Sequence, residues 1–305
     1  MILREGDLPP LVSIITLNYN QTLTTVSFLD SSRRLLYPFI EILVCDMAST
    51  INPATILNVD DYPNTRLLLS DKNLGFAGGN NWGMRQAKGE FIFIVNNDTE
   101  LTPDIIELLL APFFDNPSIG VVCPKIKYFE DRQMIQYAGF RPMNLFTGRT
   151  FSIGDHEIDR GQYDISGVTF GAHGCAMMVK KDIIEKTGMF PEKFFLYYEE
   201  WDWSARIQKA GFLIWYQSSA TIYHKESATI GKDNVLKVYY HTRNRILFMR
   251  RNSNFFHLFI FILFFSFIST PKAILYFLAN KQISQLKWFL KGIGYNLTHT
   301  SESAY

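Results

Sequence analysis

The chain has 305 residues, 47% of them hydrophobic and 19% charged, with a formal net charge of +1. That is ample for a large buried core, arranged as one large domain with an appendage or as two domains. A near-neutral balance gives no electrostatic case for nucleic acid as the main partner, and the three widely spaced cysteines, Cys45, Cys123 and Cys175, read as buried thiols in a reducing compartment.

Residues 1–10 are short, charged and end in proline, unlike a secretory signal, so the expected location is cytoplasmic. Residues 11–17 (LVSIITL) form the first predicted strand, carrying Thr16 and ending in Asn18-Tyr19-Asn20. A helical segment over 23–36 leads to a second strand, 39–44 (FIEILV), which ends in Cys45-Asp46 and a polar loop at 49–52. A third strand covers 65–69. Residues 73–81 (NLGFAGGNN) read as a glycine-rich loop whose amides approach a ligand closely, with Asn73, Gly75, Gly78, Gly79 and Asn80 as contacts. No GxxxxGK[ST] motif is present, which weakens an ATPase reading, and the glycine spacing is not that of a dinucleotide fingerprint.

After a helix over 80–87, residues 91–95 (FIFIV) are apolar on both faces and read as a strand buried in a parallel sheet. Strands alternating with helices predict βαβ units, a mostly parallel sheet and an α/β fold. The fourth strand ends in Asn96, Asn97, Asp98 and Thr99, where open α/β sheets bind ligands. Asp98 is suited to hold a hard cation such as Mg²⁺ or Mn²⁺; the alternative is a turn capping the helix over 103–114. Asp46 is either a nucleoside contact or a solvated loop aspartate.

A short strand at 120–123 is followed by an aperiodic stretch, 128–162, read as an insertion or mobile loop over the site. Residues 168–179 are strand-like with a kink at 171–174, where His173 is a substrate contact or a turn residue. In 194–206 (FFLYYEEWDWSAR), Glu199, Glu200 and Asp202 stand among aromatics, which is costly unless a cation or a chemical task requires it. A helix dipole explains one such carboxylate and the cluster poorly. Short strands at 213–215 and 220–223 lead to His224, either a second ligand for a cation at Asp98 or, as is more usual for a lone histidine, no ligand at all. Residues 239–245 (YYHTRNR) make a basic segment suited to phosphate oxygens.

Residues 255–268 (FFHLFIFILFFSFI) are nearly all apolar but fall short of the roughly 20 needed to span a bilayer, and Pro271 follows. Arg243, Arg245, Arg250 and Arg251 precede them; Lys272, Lys281, Lys287 and Lys291 follow. The expectation is a catalytic domain over 1–250 and a helical region over 251–305 lying peripherally on the inner face of the cell membrane. A helix buried on the catalytic domain, or a homodimer interface, is the alternative.

The order of these features resembles the inverting glycosyltransferase family 2, with its Rossmann-like GT-A fold, in particular its rhamnosyltransferase-type members. The match runs over roughly residues 10–250 through Asn-Tyr-Asn, Asp46, NLGFAGGNNWG, NND, YYEEWDWSAR, His224 and YHTRN. The resemblance implies a nucleotide-sugar donor, a divalent cation and a lipid-linked or polysaccharide acceptor. It puts the metal motif on Asn96-Asn97-Asp98 with His224, and the nucleoside aspartate on Asp46. The donor loop falls on residues 73–81, with Thr16, Asn18, Asn20 and Asn96 joining the donor contacts, and the diphosphate arginine on Arg243. The catalytic pair falls on Glu199-Glu200, with Glu200 the general base. Glu200 stands where Asp is usual, which leaves Glu200 versus Asp202 open, and Asn96 replaces an acid in the metal motif. Those departures leave a non-catalytic nucleotide-sugar-binding or scaffold subunit as the rival; a nucleotidyltransferase is disfavoured by the lack of a lysine-rich loop near the N-terminus.

Overall fold

A computed structural model describes residues 9–226 and 234–302. The amino-terminal half alternates as the sequence pattern requires: β1 (Val12–Asn18), α1 (Thr22–Ser32), β2 (Ile40–Asp46), β3 (Thr65–Leu69), α2 (Gly75–Gln86) and β4 (Phe91–Val95). All five residues of β4 are buried, the expected state of a strand covered on both faces. Then come β5 (Thr99–Leu101), α3 (Ile105–Asp115), β6 (Ile119–Tyr128), β7 (Met134–Tyr137), β8 (Glu157–Ile158), β9 (Gly167–Thr169), β10 (Ala176–Lys180) and α4 (Lys181–Thr187). The chain continues through α5 (Glu199–Lys209), β11 (Leu213–His224) and α6 (Val235–Asn252) to α7 (Phe255–Phe264), α8 (Thr270–Ala279) and α9 (Ile283–Thr298).

Among the described residues the strands join one mixed sheet in the order β3-β2-β1-β4-β10-β6-β11-β5. The first four are parallel, whereas β10 runs antiparallel between β4 and β6. This is an α/β fold of the GT-A type. Because β10 is reversed, its first residue, Ala176, pairs with Val95, the last residue of β4. The segment leading into β10 therefore crosses the edge where the parallel strands deliver their polar residues.

Three expectations are corrected. Residues 73–81 are not an open loop, because α2 begins at Gly75 and includes the following glycines. A Cβ on Gly79 would lie 2.7 Å from the Met47 sulfur, and one on Gly83 would lie 2.7 Å from Ile15 Cγ2. These glycines let the helix settle onto β1 and β2, a packing requirement that resembles a ligand loop in one dimension. The stretch 128–162 carries ordered pairings, since β6 runs ten residues and β7 pairs with both β6 and β8. The two short strands before His224 are one strand, β11, with an irregularity in register between Gln217 and Thr221.

A second, smaller core joins α5, α6, α7 and α9 through Phe194, Trp201, Leu247, Phe248, Phe261, Phe265 and Phe289. Proline does not break the apolar helix as expected. Residues Phe255–Ala279 run continuously, with a π-helical turn at Phe265–Ser269 just before Pro271. A wide turn has spare carbonyls and no need for the N–H that proline lacks. The most apolar 18-residue window of this helix has a mean hydropathy of 2.1, and 11% of that window is buried, so most of it stands outside either core.

Gly83→Val should lower stability by about 1–3 kcal/mol, read as a lower denaturant midpoint, because the added branches must displace Ile15 and the Cys45 sulfur. An unchanged midpoint would mean that α2 can lift off the sheet at no cost.

Candidate active site

The carboxyl ends of β1, β2 and β4 are tied into one polar network. Asn18 Nδ2 donates to Asp46 Oδ1 at 2.7 Å, and Asn18 Oδ1 accepts from Thr25 Oγ1 at 2.9 Å. Thr25 Oγ1 in turn accepts from Asn97 Nδ2 at 2.9 Å. Asp46 Oδ2 accepts from the Ser49 backbone at 2.9 Å, and Asn20 Oδ1 from the Thr50 backbone at 2.8 Å. Asp46 is buried and holds the two loops together. Thr16, fully buried on β1, has an Oγ1 with no hydrogen-bond partner among the described residues. Asn73 Oδ1 accepts from the Gly75 backbone and starts α2, while Asn80 donates back to the Phe76 carbonyl. Gly78 and Gly79 are buried in the packing of that helix.

Asp98 and His224 meet because β5 pairs antiparallel with β11, setting His224 opposite Thr99. Asp98 Oδ1 lies 3.1 Å from His224 Nε2. The other ring nitrogen is 2.8 Å from Gln136 Oε1, and Gln136 Nε2 donates to Glu226 at 2.9 Å. With its amide fixed by Glu226, Gln136 presents its oxygen to His224, so Nδ1 carries a hydrogen and Nε2 faces Asp98. An imidazole whose far nitrogen is held by such a hydrogen bond presents the near one in the orientation usual for binding a metal. Among the described residues no third His, Cys, Asp or Glu joins the pair. Two protein ligands suit an ion that keeps waters and phosphate oxygens in its shell, as Mg²⁺ and Mn²⁺ do. Gln136, from the stretch read as a mobile loop, was missed by sequence reasoning.

The carboxylates Glu199 and Glu200 are positioned by an unusual turn. Phe195, Tyr197 and Tyr198 have φ of 65°, 69° and 73°, a left-handed conformation that non-glycine residues adopt at a cost. Asn244, fully buried on α6, donates from Nδ2 to the carbonyls of Phe194, Leu196 and Tyr197 at 3.0, 2.7 and 2.7 Å. Arg243 Nη2 donates to the carbonyls of Lys193 and Phe194 at 2.8 and 2.5 Å. From the other side, the Phe76 backbone N–H at the start of α2 donates to the Phe195 carbonyl at 2.7 Å. Arg243 thus grips this turn instead of standing free for a diphosphate. The segment 239–245 is a stretch of helix whose polar face points inward.

At the end of the turn α5 begins with Glu199, 3% exposed, and Glu200, partly exposed; each has an Oε2 that is sealed from solvent without a hydrogen-bond partner among the described residues. Burial pushes the Glu200 carboxyl up to about 7, against the opposing pull of the Glu200 and Tyr198 backbone amides. Glu199 is raised as well, first by burial and then by the Glu200 charge beside it. With its carboxyl near 7, Glu200 is able to shed and accept a proton around neutral pH. Asp202 is a different kind of carboxylate. It accepts from Arg206 Nε at 3.1 Å, Arg251 Nε at 2.7 Å and Asn252 at 2.9 Å. That leaves it tying α5 to α6, and of the two residues the sequence left open, only Glu200 has an unpaired oxygen.

One short segment joins the two groups of residues. At one end the Ala172 N–H donates to Ser204 Oγ, which donates to the Glu200 carbonyl at 2.6 Å. At the other end the Cys175 carbonyl accepts from the Asn96 N–H at 2.9 Å. Between them the His173 ring stacks on Phe140, whose centroid is 4.7 Å from that of Trp201. His173 is a turn residue, its Nδ1 accepting from the Cys175 N–H and its pKa lowered to about 3 by burial. Asp98–His224 and Glu199–Glu200 thus stand at the two ends of a four-residue bridge, Ala172 to Cys175, on the same edge of the sheet.

Residues 13–188 match the family described as "Glycosyl transferase family 2". The chain belongs to that family. It is 25% identical over 236 residues to an N-acetylglucosaminyl-diphospho-decaprenol L-rhamnosyltransferase of Mycobacterium tuberculosis, covering 69% of this chain and 74% of the relative. It is 25% identical over 206 residues to the O-antigen biosynthesis protein RfbC of Myxococcus xanthus, covering 65% of this chain and 16% of that one. Among solved structures, a mannosyltransferase of Pyrobaculum calidifontis in complex with GDP-Man and Mn²⁺ is similar at a TM-score of 0.58 and 15% identity, covering 95% of this chain and 88% of that one. A GalNAc-T7 with UDP, GalNAc and Mn²⁺ is similar at 0.59 and 13%, covering 85% and 56%. The family 2 chain described here is therefore a glycosyltransferase.

Asn244→Ala removes the donor shared by three carbonyls. It should cost about 1–3 kcal/mol of stability and lower kcat by about 10²-fold as Glu200 drifts from its position. Urea unfolding and steady-state transfer measure the two; a wild-type kcat would confine Asn244 to folding.

Proposed function

We propose that this chain transfers a hexosyl group of the rhamnose type, with inversion, from a nucleoside-diphosphate sugar to a hydroxyl of a lipid-linked or polysaccharide acceptor. The observation that carries the proposal is Glu200, a carboxylate with an unpaired oxygen and a pKa near neutrality, on the sheet edge it shares with Asp98 and His224. Rhamnose and the lipid-linked acceptor are suggested by the name of the mycobacterial relative.

The acceptor hydroxyl attacks the anomeric carbon as its proton passes to the Glu200 carboxylate. The new glycosidic bond forms as the bond from the anomeric carbon to the phosphate oxygen breaks on the opposite face, which inverts the centre. Asp98 and His224 would hold a divalent cation, which when bound supplies positive charge to the departing diphosphate. Burial and the neighbouring Glu200 charge both disfavour ionisation of Glu199, which works against a second negative charge next to the base. Asp46 and Asn18 shape the nucleoside end of the crevice, and Thr16 Oγ1 is a free hydrogen-bonding group there.

The helix Phe255–Ala279 presents Phe255, Phe256, Phe267, Ile268 and Leu275, each more than half exposed, on the outer side of the appendage. At about 37 Å it also has the length to cross a bilayer. Its inner side is packed on α6 and α9 through Phe261 and Phe265, which favours a peripheral position with the outer side in the cytoplasmic leaflet. Sedimentation of the full chain with anionic vesicles supports this position; a chain left wholly in the supernatant contradicts it.

Glu200→Gln should cut kcat by about 10²–10⁴-fold with donor affinity nearly unchanged. A base must be ionised to act, so the wild-type rate should climb as pH rises through about 7 and level off above it. Activity within a few-fold of wild type in Glu200→Gln, or a rate that is flat from pH 5 to roughly 8, would reject the assignment.

A further inference from the structure

Beside the turn that carries Glu200, a groove of about 750 Å³ opens between α6 and the apolar helix. None of its lining residues comes from the strand ends, so it is separate from the crevice where the donor diphosphate belongs. One wall is apolar, with Phe265, Ile268 and Phe277. The other carries four cationic side chains, Arg149, Lys237, Arg245 and Lys272. Such walls seldom occur together without a ligand that is itself half anion and half hydrocarbon.

The charges are unmatched. Among the described residues, no carboxylate lies within ion-pair distance of any of the four. Arg245 is 6% exposed; its Nε donates to the Thr147 carbonyl at 2.7 Å, and its guanidinium lies over the Phe265 ring at 5.3 Å. Burial, and next the neighbouring Arg149 charge, lowers its pKa to about 10, so it remains cationic at neutral pH. A buried guanidinium with no counter-charge, beside a second one, awaits an anion. Arg149, Lys237 and Lys272 are exposed at the mouth, where long cationic side chains reach phosphate oxygens.

Tyr198 connects the groove to the chemistry. It lines the groove, donates to the Gly148 carbonyl at 3.0 Å and stands two residues before Glu200. Its phenol, raised to about 12 chiefly by burial, also feels the charges of Arg245, Arg149 and Glu200.

We propose that this groove is the acceptor site, and that it takes a lipid diphosphate. The diphosphate lies among Arg149, Arg245, Lys237 and Lys272, the hydrocarbon runs along the exposed side of α7 and α8, and the sugar it carries points past Tyr198 toward Glu200. A diphosphate satisfies several cations at once, which a single phosphate or an uncharged glycan does not. The exposed apolar helix continues from the groove and gives the chain a place to lie. The inference rests on the glycosyl-transfer reading and adds to it the class of acceptor and its seat.

The test uses the full chain in detergent micelles with farnesyl diphosphate as the probe, and inorganic pyrophosphate and farnesol as controls. The variant is Arg149→Glu with Lys272→Glu; both positions are exposed, so the fold should survive. Wild type should bind farnesyl diphosphate at least about tenfold more tightly than either control, and the double variant should weaken that binding by about tenfold or more. A thermal shift with UDP or GDP and Mn²⁺ that is equal in wild type and variant verifies that the donor site is intact. Unchanged farnesyl diphosphate binding in the variant overturns the proposal, as does pyrophosphate binding as tightly as the lipid. Loss of binding to phosphatidylglycerol vesicles alone, with farnesyl diphosphate binding retained, also overturns it and assigns the cations to the bilayer. If no nucleotide sugar supports transfer but farnesyl diphosphate binding follows the predicted pattern, the enzymatic reading fails and the groove assignment stands.

Discussion

The site depends on one constraint, the capture of the turn at residues 193–198 by α6. Left to itself, a chain with Phe195, Tyr197 and Tyr198 at positive φ is strained by about 1–3 kcal/mol per residue. Three carbonyls satisfied by Asn244, and the pair gripped by Arg243, offset that strain and fix the direction in which α5 starts. The outcome is that Glu199 and Glu200 enter a helix whose first turn is sealed by aromatic side chains. Acidic residues at a helix start are normally stabilised as anions by the exposed amides. Here burial outweighs those amides, and the carboxyl that would have been an ordinary surface charge becomes a group that exchanges its proton near neutral pH.

The same helix couples catalysis to the appendage. Arg243, Asn244 and Arg245 are consecutive on α6, yet they serve two directions: the first two hold the turn and the third faces the groove beneath α7 and α8. Asp202 completes the clamp by holding Arg251 and Arg206, and Asn296 of α9 donates to the Arg243 carbonyl at 2.9 Å. Movement of the apolar helix on a membrane would therefore be felt at the start of α5 through side chains already in contact. On the proposed reading of a membrane-borne acceptor, α6 links the apolar helix packed against it to the turn that carries Glu200.

Much of this was legible in the sequence, and what was not has identifiable causes. Apolar runs ending in polar clusters located β1, β2 and β4, because buried parallel strands leave that signature. The pairing of Asp98 with His224 was suggested by a strand-end histidine and by the resemblance, but no local pattern carries it, since the β5–β11 contact that joins them spans more than a hundred residues. The glycines of α2 misled because a helix that must approach a sheet closely and a loop that must approach a ligand closely ask for the same residue. Arg243 misled for a related reason: a guanidinium serves backbone carbonyls as readily as phosphate oxygens, and composition does not say which. The ordered strands in 128–162, and with them Gln136, were hidden by short, irregular pairings that carry little periodicity. Pro271 suggested a break, but the preceding π-helical turn absorbs it.

The claim on which the account turns is that burial holds the Glu200 carboxyl near neutrality. It is tested most directly by carbon-13 NMR of protein labelled at glutamate side-chain carboxyls, with the Glu200 signal assigned by its disappearance in Glu200→Gln. The account predicts a titration midpoint close to 7. A midpoint at the ordinary value of about 4.5 would show a solvated carboxylate and contradict it.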